Sequence, residues 1–244
     1  MNKLTTLCAL ALVAALVPAQ DGQFPKPSAA SRKYGEYRQQ STDPIYSAQK
    51  VKALIKKIKT DQDENRYMPD KTYNSLTTQE KFAYCMLHGE DFSQNCNAMP
   101  PIVDEQKKIF PYFPGPFGDE AIWSDRQRAF LDKNRTKVIG MLRETIKARQ
   151  RIGINLKQAI VYVKANELMP DVMATYKRDK KDHDLLTVLM LLMQDGQFKP
   201  FLESAMYKKL YGDQSNYQSY ITFNSANEKL ILERADAFYK SRAK

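Results

Sequence analysis

The segment that most constrains the fold is the apolar run LLTVLMLLM, which spans residues 185–193. It holds nine residues, whereas a helix needs about 20 apolar residues to cross a bilayer. This length is typical of a helix buried in a protein core. The whole chain is 43% hydrophobic, which excludes a wholly disordered protein. We therefore expect a folded domain with its most apolar helix at about 182–194.

Helical patterns recur along the rest of the chain. An apolar stripe at i, i+3, i+4 and i+7 begins at Val51. Capping boxes, in which Ser or Thr precedes Glu or Gln by three positions, mark further helix starts. These pairs are Thr77 with Glu80, Ser124 with Gln127, and Ser225 with Glu228. The sequence predicts a mainly α fold, an antiparallel bundle of about six or seven helices. Residues 217–223 alternate weakly, and we favour a loop there over a short strand.

The N-terminus has the features of a secretory signal. Lys3 supplies a positive charge, an apolar run of 11 residues extends over 7–17, and small Ala19 precedes Gln20. We expect residues 1–19 to be a signal peptide cleaved near Ala19/Gln20, which predicts a secreted or periplasmic protein. The alternative is an N-terminal membrane anchor. We expect a flexible leader at 20–43 and a single helical domain at 44–244.

Two cysteines remain after the predicted cleavage. Cys85 and Cys96 are separated by 10 residues, and in an oxidising compartment we expect them to form a disulfide. This bond would close one end of a long irregular insert at 89–118. The alternative is two free thiols, because the spacing matches no common metal motif.

The net charge of +10 is unevenly distributed. Residues 32–59 carry eight basic and two acidic side chains, and residues 121–181 carry 15 and six. Residues 60–120 carry five basic and 11 acidic side chains. Outward lysines such as Lys52 and Lys56 could bind an anionic polymer, although a solvated basic face is an ordinary alternative. The acidic segment 60–120 is the first place to look for a site.

Candidate catalytic residues cluster at the start of the insert. His88, Glu90 and Asp91 could supply a general acid, a base or a nucleophile for a glycosidase-type hydrolysis. That hypothesis requires Glu90 to line a cleft with the aromatic loop and to have a raised pKa. The alternative is a group of polar residues at a helix end, since no catalytic motif accompanies them.

A partial calcium motif precedes this cluster. Asp61, Asp63 and Asn65 alternate as oxygen ligands do in an EF-hand loop. Arg66 stands where that loop needs Gly, and Thr72 where it needs a bidentate Glu. A solvated loop at a helix end is the alternative, and we assign no metal or other cofactor.

An aromatic and proline-rich run occupies residues 110–117. Tyr112 and Phe113 could present a platform for a sugar ring or a peptide. Alternatively, the aromatic residues of this run cover the helical core, because large aromatic side chains usually bury their area.

Taken together, the patterns favour an exported, soluble, non-enzymatic binding or structural module of the cell envelope or extracellular space. Its expected partner is an unknown protein, an anionic polymer or a glycan, and export argues against an intracellular nucleic acid. After signal cleavage no segment is long and apolar enough to span a membrane. The alternative function is a secreted hydrolase that uses Glu90 and Asp91 on a glycan.

Overall fold

The computed structural model describes residues 24–94, 100–118, 120–216 and 218–242, and this part of the chain is mainly helical. The α-helices are α1 (Ala29–Arg38), α2 (Ala48–Ile55), α3 (Asp70–Ser75), α4 (Thr78–Leu87), α5 (Asp125–Lys133), α6 (Arg135–Arg149), α7 (Ile154–Tyr162), α8 (Met169–Asp179), α9 (Asp184–Asp195), α10 (Lys199–Leu202), α11 (Ala205–Tyr211) and α12 (Ser225–Arg242). Short 3-10 helices occur at Glu105–Lys107 and Asn166–Leu168. The mainly α class is confirmed.

The number of helices was underestimated from the sequence. The described residues form twelve α-helices rather than about six or seven. One cause is the periodic segment 124–152, which contains α5 and α6. The two helices are separated at Asn134, whose side-chain amide donates to the Phe130 carbonyl at 2.9 Å and closes α5. Hydrophobic periodicity continues across such a break, so it hides the boundary. The antiparallel arrangement of the helices stays a prediction.

The main hydrophobic core surrounds α9. Nine residues of this helix are buried, including its apolar residues from Leu185 to Met190. Helices α7, α8, α10 and α12 pack against it. A second, smaller core lies between α2, α3 and α4 and includes Val51, Tyr73 and Tyr84. Helix α4 joins the two cores, because Phe82 contributes to the main one and neighbouring Ala83 to the smaller one.

The insert at 89–118 is held by short strands. Strand β1 (Asp91–Phe92) pairs antiparallel with β3 (Ala121–Ile122), and β2 (Lys108–Ile109) pairs antiparallel with β4 (Ile221–Thr222). The prediction of a loop at 217–223 was therefore wrong at 221–222. The partner of β4 lies more than 100 residues away in the sequence, so the local pattern alone was weak evidence for it.

The predicted disulfide is not present. Cys85 is a free thiol that is fully buried in the main core, and Cys96 lies outside the described residues. Cys85 is on the inner face of α4, where it behaves as a small apolar side chain. Two strand pairs and the contacts of the 3-10 helix at Glu105–Lys107 with α1 hold the insert instead.

Residues expected to form a flexible leader contain helix α1, which packs on the body. Ser28 caps its first turn, and Arg38 at its end is 2% exposed. The Arg38 guanidinium donates two hydrogen bonds to the Asp184 carboxylate and one to Glu105. Sequence periodicity failed here because α1 is anchored by buried charge rather than by an apolar stripe.

The predicted signal peptide, residues 1–19, lies outside the described residues and stays a prediction. Within the part of the chain that the structure describes, no helix has the length and apolar character needed to cross a membrane.

Candidate functional site

A cavity of about 390 Å³ lies beside the C-terminal end of α4. Helix α2, the segment before α2, and the end of the aromatic run form its other walls. We call it the α2–α4 cavity. It is lined by Ser41, Asp43, Lys52, Ile55, Arg66, Met86, Leu87, His88, Gly89, Pro116, Phe117 and Ala121. It thus brings together two of the residues predicted from the sequence, His88 and Lys52, with one aromatic residue of the 110–117 run.

The end of α4 is fixed in place by local capping and by Trp123. The predicted capping box of Thr77 and Glu80 is present at the start of this helix. At its other end, the Trp123 indole donates to the Cys85 carbonyl at 2.6 Å. The Trp123 ring also meets Phe117 edge to face, with centroids 6.0 Å apart. One indole therefore holds both the helix end and the aromatic wall of the cavity.

Gly89 allows this wall to close against β3. A Cβ atom at this position would lie 2.7 Å from the Ile122 carbonyl oxygen and 2.7 Å from Phe117 Cδ2. Both distances are shorter than normal van der Waals contact. A side chain here would displace the backbone of β3 or the Phe117 ring, so the shape of the cavity depends on glycine.

His88 is held neutral at the edge of the cavity. Its Nε2 lies 2.7 Å from the Arg66 carbonyl oxygen. Because a carbonyl only accepts, Nε2 carries the proton and donates it, which makes Nδ1 an acceptor. Burial lowers the pKa of His88 below its ordinary value of 6.5, although the Arg66 carbonyl opposes this effect. Tyr84 packs against the ring, with centroids 5.4 Å apart.

The cavity is lined by both charged and apolar side chains. Lys52 Nζ lies 2.5 Å from Asp43 Oδ2 and forms an ion pair. Arg66 is exposed, and the described residues offer its guanidinium no ion pair or hydrogen bond. Ile55 and Phe117 contribute hydrocarbon and aromatic surface. The arrangement can hold an anion attached to an apolar body.

Glu90 does not meet the requirement of the hydrolase hypothesis. Its side chain is fully buried and does not line the α2–α4 cavity. It accepts hydrogen bonds from Tyr84 Oη at 2.6 Å, from Ser124 Oγ at 2.5 Å and from two nitrogens of Arg126. Burial alone would raise the pKa of Glu90, but the bonds from Arg126, Ser124 and Tyr84 outweigh burial and keep it below the ordinary value. The raised pKa that the hydrolase hypothesis requires of Glu90 is therefore not found.

Asp91, like Glu90, makes contacts that hold the fold together. It accepts a hydrogen bond from the Tyr67 hydroxyl, and this bond raises the pKa of Tyr67 to about 12. Asp91 lies in β1, directly after a backbone segment that Gln127 of α5 holds by hydrogen bonds. The Gln127 amide accepts from the Glu90 backbone and donates to the His88 carbonyl at 2.8 Å. The polar cluster predicted from the sequence therefore braces the start of the insert.

Oxygen atoms of Asp61 and Asn65, two residues of the partial calcium motif, already accept hydrogen bonds. Asp61 Oδ1 accepts from the backbone nitrogens of Asp63 and Asn65, and Asn65 Oδ1 accepts from the Phe92 backbone. Among the described residues, no three His, Cys, Asp or Glu side chains converge on a point that could hold a metal.

The other predicted binding residues lie outside the α2–α4 cavity. Tyr112 is 61% exposed and meets Tyr211 edge to face, whereas Phe113 packs against the main core. Lys56 is exposed at the end of α2. The alternative interpretation of the aromatic run was that its side chains cover the core. This interpretation describes Phe113 but not Tyr112.

Sequence reasoning missed Asp43 and Arg66 as cavity residues. Arg66 drew notice only as a mismatch in the calcium motif, and Asp43 as the end of the leader. No local pattern marks either of them, because the cavity joins segments from residue 41 to residue 121. No protein-family model, no curated protein and no solved structure matches this chain significantly.

Proposed function

We propose that this protein is a non-enzymatic binding module that takes a small amphipathic carboxylate into the α2–α4 cavity. The observation that carries the proposal is that Arg66, whose guanidinium has no ion pair or hydrogen bond among the described residues, lines the same cavity as Ile55 and Phe117. Guanidinium groups bind carboxylates through two parallel hydrogen bonds, which gives both affinity and orientation. The cavity volume of about 390 Å³ is within the range of small-molecule sites.

The remaining polar groups suit such a ligand. Lys52 is neutralised by Asp43, so Arg66 supplies the net positive charge of the cavity. Neutral His88 offers Nδ1 as an acceptor for a hydroxyl or amide on the ligand. We propose that the protein acts after export, in the periplasm or outside the cell, as its N-terminal sequence predicts. N-terminal sequencing of the mature protein, with a start near Gln20, would test that location.

Calorimetric titration with octanoate tests the binding proposal. Octanoate should bind, and octanamide, which has the same chain without the charge, should bind at least about tenfold more weakly, since a charged hydrogen bond contributes about 1.5–3 kcal/mol. Arg66→Gln should weaken octanoate by about the same factor. Arg32→Gln removes an equally exposed guanidinium outside the cavity and should leave the affinity unchanged. Equal octanoate affinities in the two variants would refute the proposal.

A second candidate function is supported by the surroundings of Tyr112. Tyr112 contacts Tyr211 of α11, the helix that also carries Lys209. Lys108 and Lys209 lie 4.2 Å and 5.8 Å from the ring centroid of Tyr220, which is 37% exposed. We propose that this aromatic and lysine surface binds an anionic glycan, with Tyr112 stacking on a sugar ring. Tyr112→Ala should elute from a heparin column at lower salt than the parent. Elution at the same salt concentration would count against this surface.

A further inference from the structure

A second cavity, of about 440 Å³, lies between α6, the 3-10 helix at Asn166–Leu168 and the end of α12. We call it the arginine cavity. It is lined by Arg135, Arg143, Asn166, Glu167, Tyr239 and Arg242. Three guanidinium groups and a single carboxylate thus share one concave surface. No part of it overlaps the α2–α4 cavity.

Arg135 is committed to holding this part of the fold. Its Nε donates to the Val163 carbonyl at 2.8 Å, and its Nη2 donates to the Lys164 carbonyl at 2.8 Å. Both of its terminal nitrogens also bond the Glu167 carboxylate, at 2.9 and 3.0 Å. This pairing cancels the charge of Arg135 and Glu167, so the charge available to a ligand comes from the two other arginines.

Arg143 and Arg242 keep uncommitted donors. Arg143 Nε lies 3.2 Å from Asp171 Oδ2, and its Nη2 donates to the Glu167 carbonyl at 2.8 Å. Arg242 bonds one carbonyl, that of Gly196, through Nη2 at 2.9 Å. The described residues give no partner to the Nη1 group of either arginine. Counting Asp171, the cluster keeps an excess of one positive charge.

Asn166 adds an uncommitted amide to the same wall. Its Oδ1 is buried and has no hydrogen-bond partner. A buried polar atom without a partner is costly, and such atoms are uncommon in folded proteins. Rotation of the amide exchanges this oxygen for the NH₂ group, which is a donor to an anion. A bound oxyanion would therefore give the Asn166 side chain a partner.

We propose that the arginine cavity binds a tetrahedral oxyanion, a phosphate or sulfate group, between Arg143 and Arg242. Planar guanidinium groups with free donors are well suited to such oxygen atoms. The proposal is independent of the carboxylate site, because the two cavities share no lining residue. Inorganic phosphate and inorganic sulfate serve as separate probes, which distinguish the two sources of the oxyanion.

The test is calorimetric titration of each anion at constant ionic strength, with chloride as the reference salt. The parent protein should bind phosphate or sulfate saturably. The double variant Arg143→Gln/Arg242→Gln should lose at least about tenfold in affinity. Lys147→Gln/Lys199→Gln removes the same charge from exposed positions outside the cavity and should bind like the parent. Binding that is equal in the two double variants, or absent in the parent, would overturn the proposal.

A further variant separates bidentate hydrogen bonding from simple charge. Arg143→Lys/Arg242→Lys keeps both positive charges but replaces each planar donor pair by an ammonium group. Its affinity should fall between those of the parent and the glutamine variant, and parent-like affinity would contradict guanidinium recognition. If the glutamine double variant fails to fold, Arg242→Gln alone, at the exposed end of α12, provides the same comparison.

Discussion

Replacing Lys157 with methionine should lower the free energy of unfolding by about 3–5 kcal/mol, because it removes one partner from a buried ion-pair network. Lys157 is fully buried, with Nζ 2.7 Å from Asp182 Oδ1 and 3.3 Å from Asp184 Oδ2. Arg38 pairs with the same Asp184 at 2.6 Å and with Glu105 at 2.7 Å. Without Lys157, three carboxylates would share one buried cation.

The loss should be measured by urea and thermal unfolding followed by circular dichroism. For a chain of this size, 3–5 kcal/mol corresponds to a fall in Tm of about 6–20 °C. The matched control is Lys164→Met. Lys164 Nζ lies 2.7 Å from Asp195, the same distance as in the buried pair, but its side chain is 64% exposed. The control should lose less than about 1 kcal/mol.

The pH dependence gives a second test of this network. Burial already raises the pKa of Asp182 despite the opposing charge of Lys157. In Lys157→Met both aspartates lose that cation, so the folded-state pKa of Asp182 should rise further above its unfolded value and the lowered pKa of Asp184 should also rise. Carboxyls of this kind bind protons in the folded state, which stabilises it as the pH falls. The stability difference between parent and variant should therefore shrink on acidification. Similar losses in the buried and exposed variants, at any pH, would refute this reasoning.

Three other features give further tests. Gly153→Ala should destabilise the protein, because the new Cβ atom would lie 2.3 Å from a backbone nitrogen. In Gly140→Ala the new Cβ atom meets nothing within 4 Å, so the free energy of unfolding should rise by about 0.5–1 kcal/mol. Equal urea midpoints in the two variants would contradict this packing. Stability should fall as the pH drops below about 6.5, because burial lowers the pKa values of His88 and His183 in the folded protein. Just below that pH these histidines take up protons in the unfolded chain and not in the folded protein. A urea midpoint that does not change with pH would contradict this prediction. Cys85 should resist iodoacetamide in the native protein and react in urea without reductant, as read by peptide mass spectrometry; a disulfide at this cysteine would prevent the second reaction.

Features set by neighbours in the sequence were predicted well. The capping boxes at Thr77 and Ser124 are both present, because each depends on residues three positions apart. The buried helix α9 follows from its own composition. The third capping box was predicted at Ser225, one residue after the actual cap. Asn224 accepts from the Asn227 backbone at the start of α12, and an asparagine cap lacks the Ser/Thr signature that we used.

Features that join distant segments could not be predicted from local patterns. Helix α1 was assigned to a leader because its anchor, Arg38, pairs with a carboxylate 146 residues further along the chain. Glu90 was a candidate catalytic acid in the alternative function because the sequence does not show that Arg126 reaches it. The α2–α4 cavity joins stretches spread from residue 41 to residue 121; Lys52, His88 and the aromatic run carried a signal in the sequence, but nothing local showed that they meet.

The pairing of Arg38 with Asp184 also constrains the order in which the protein can fold. Synthesis proceeds from the N-terminus, so α1 emerges long before its partner in α9, which is 146 residues away. Until that partner appears, burying the Arg38 guanidinium would leave it with Glu105 in place of the two carboxylates that it bonds in the folded protein, and incomplete pairing of a buried charge is unfavourable. We therefore expect helix α1 to dock late, after α9 has brought Asp184 into the position that receives it. Long-range closures of this kind slow folding, so this early-made helix should be among the last elements to become protected from hydrogen exchange.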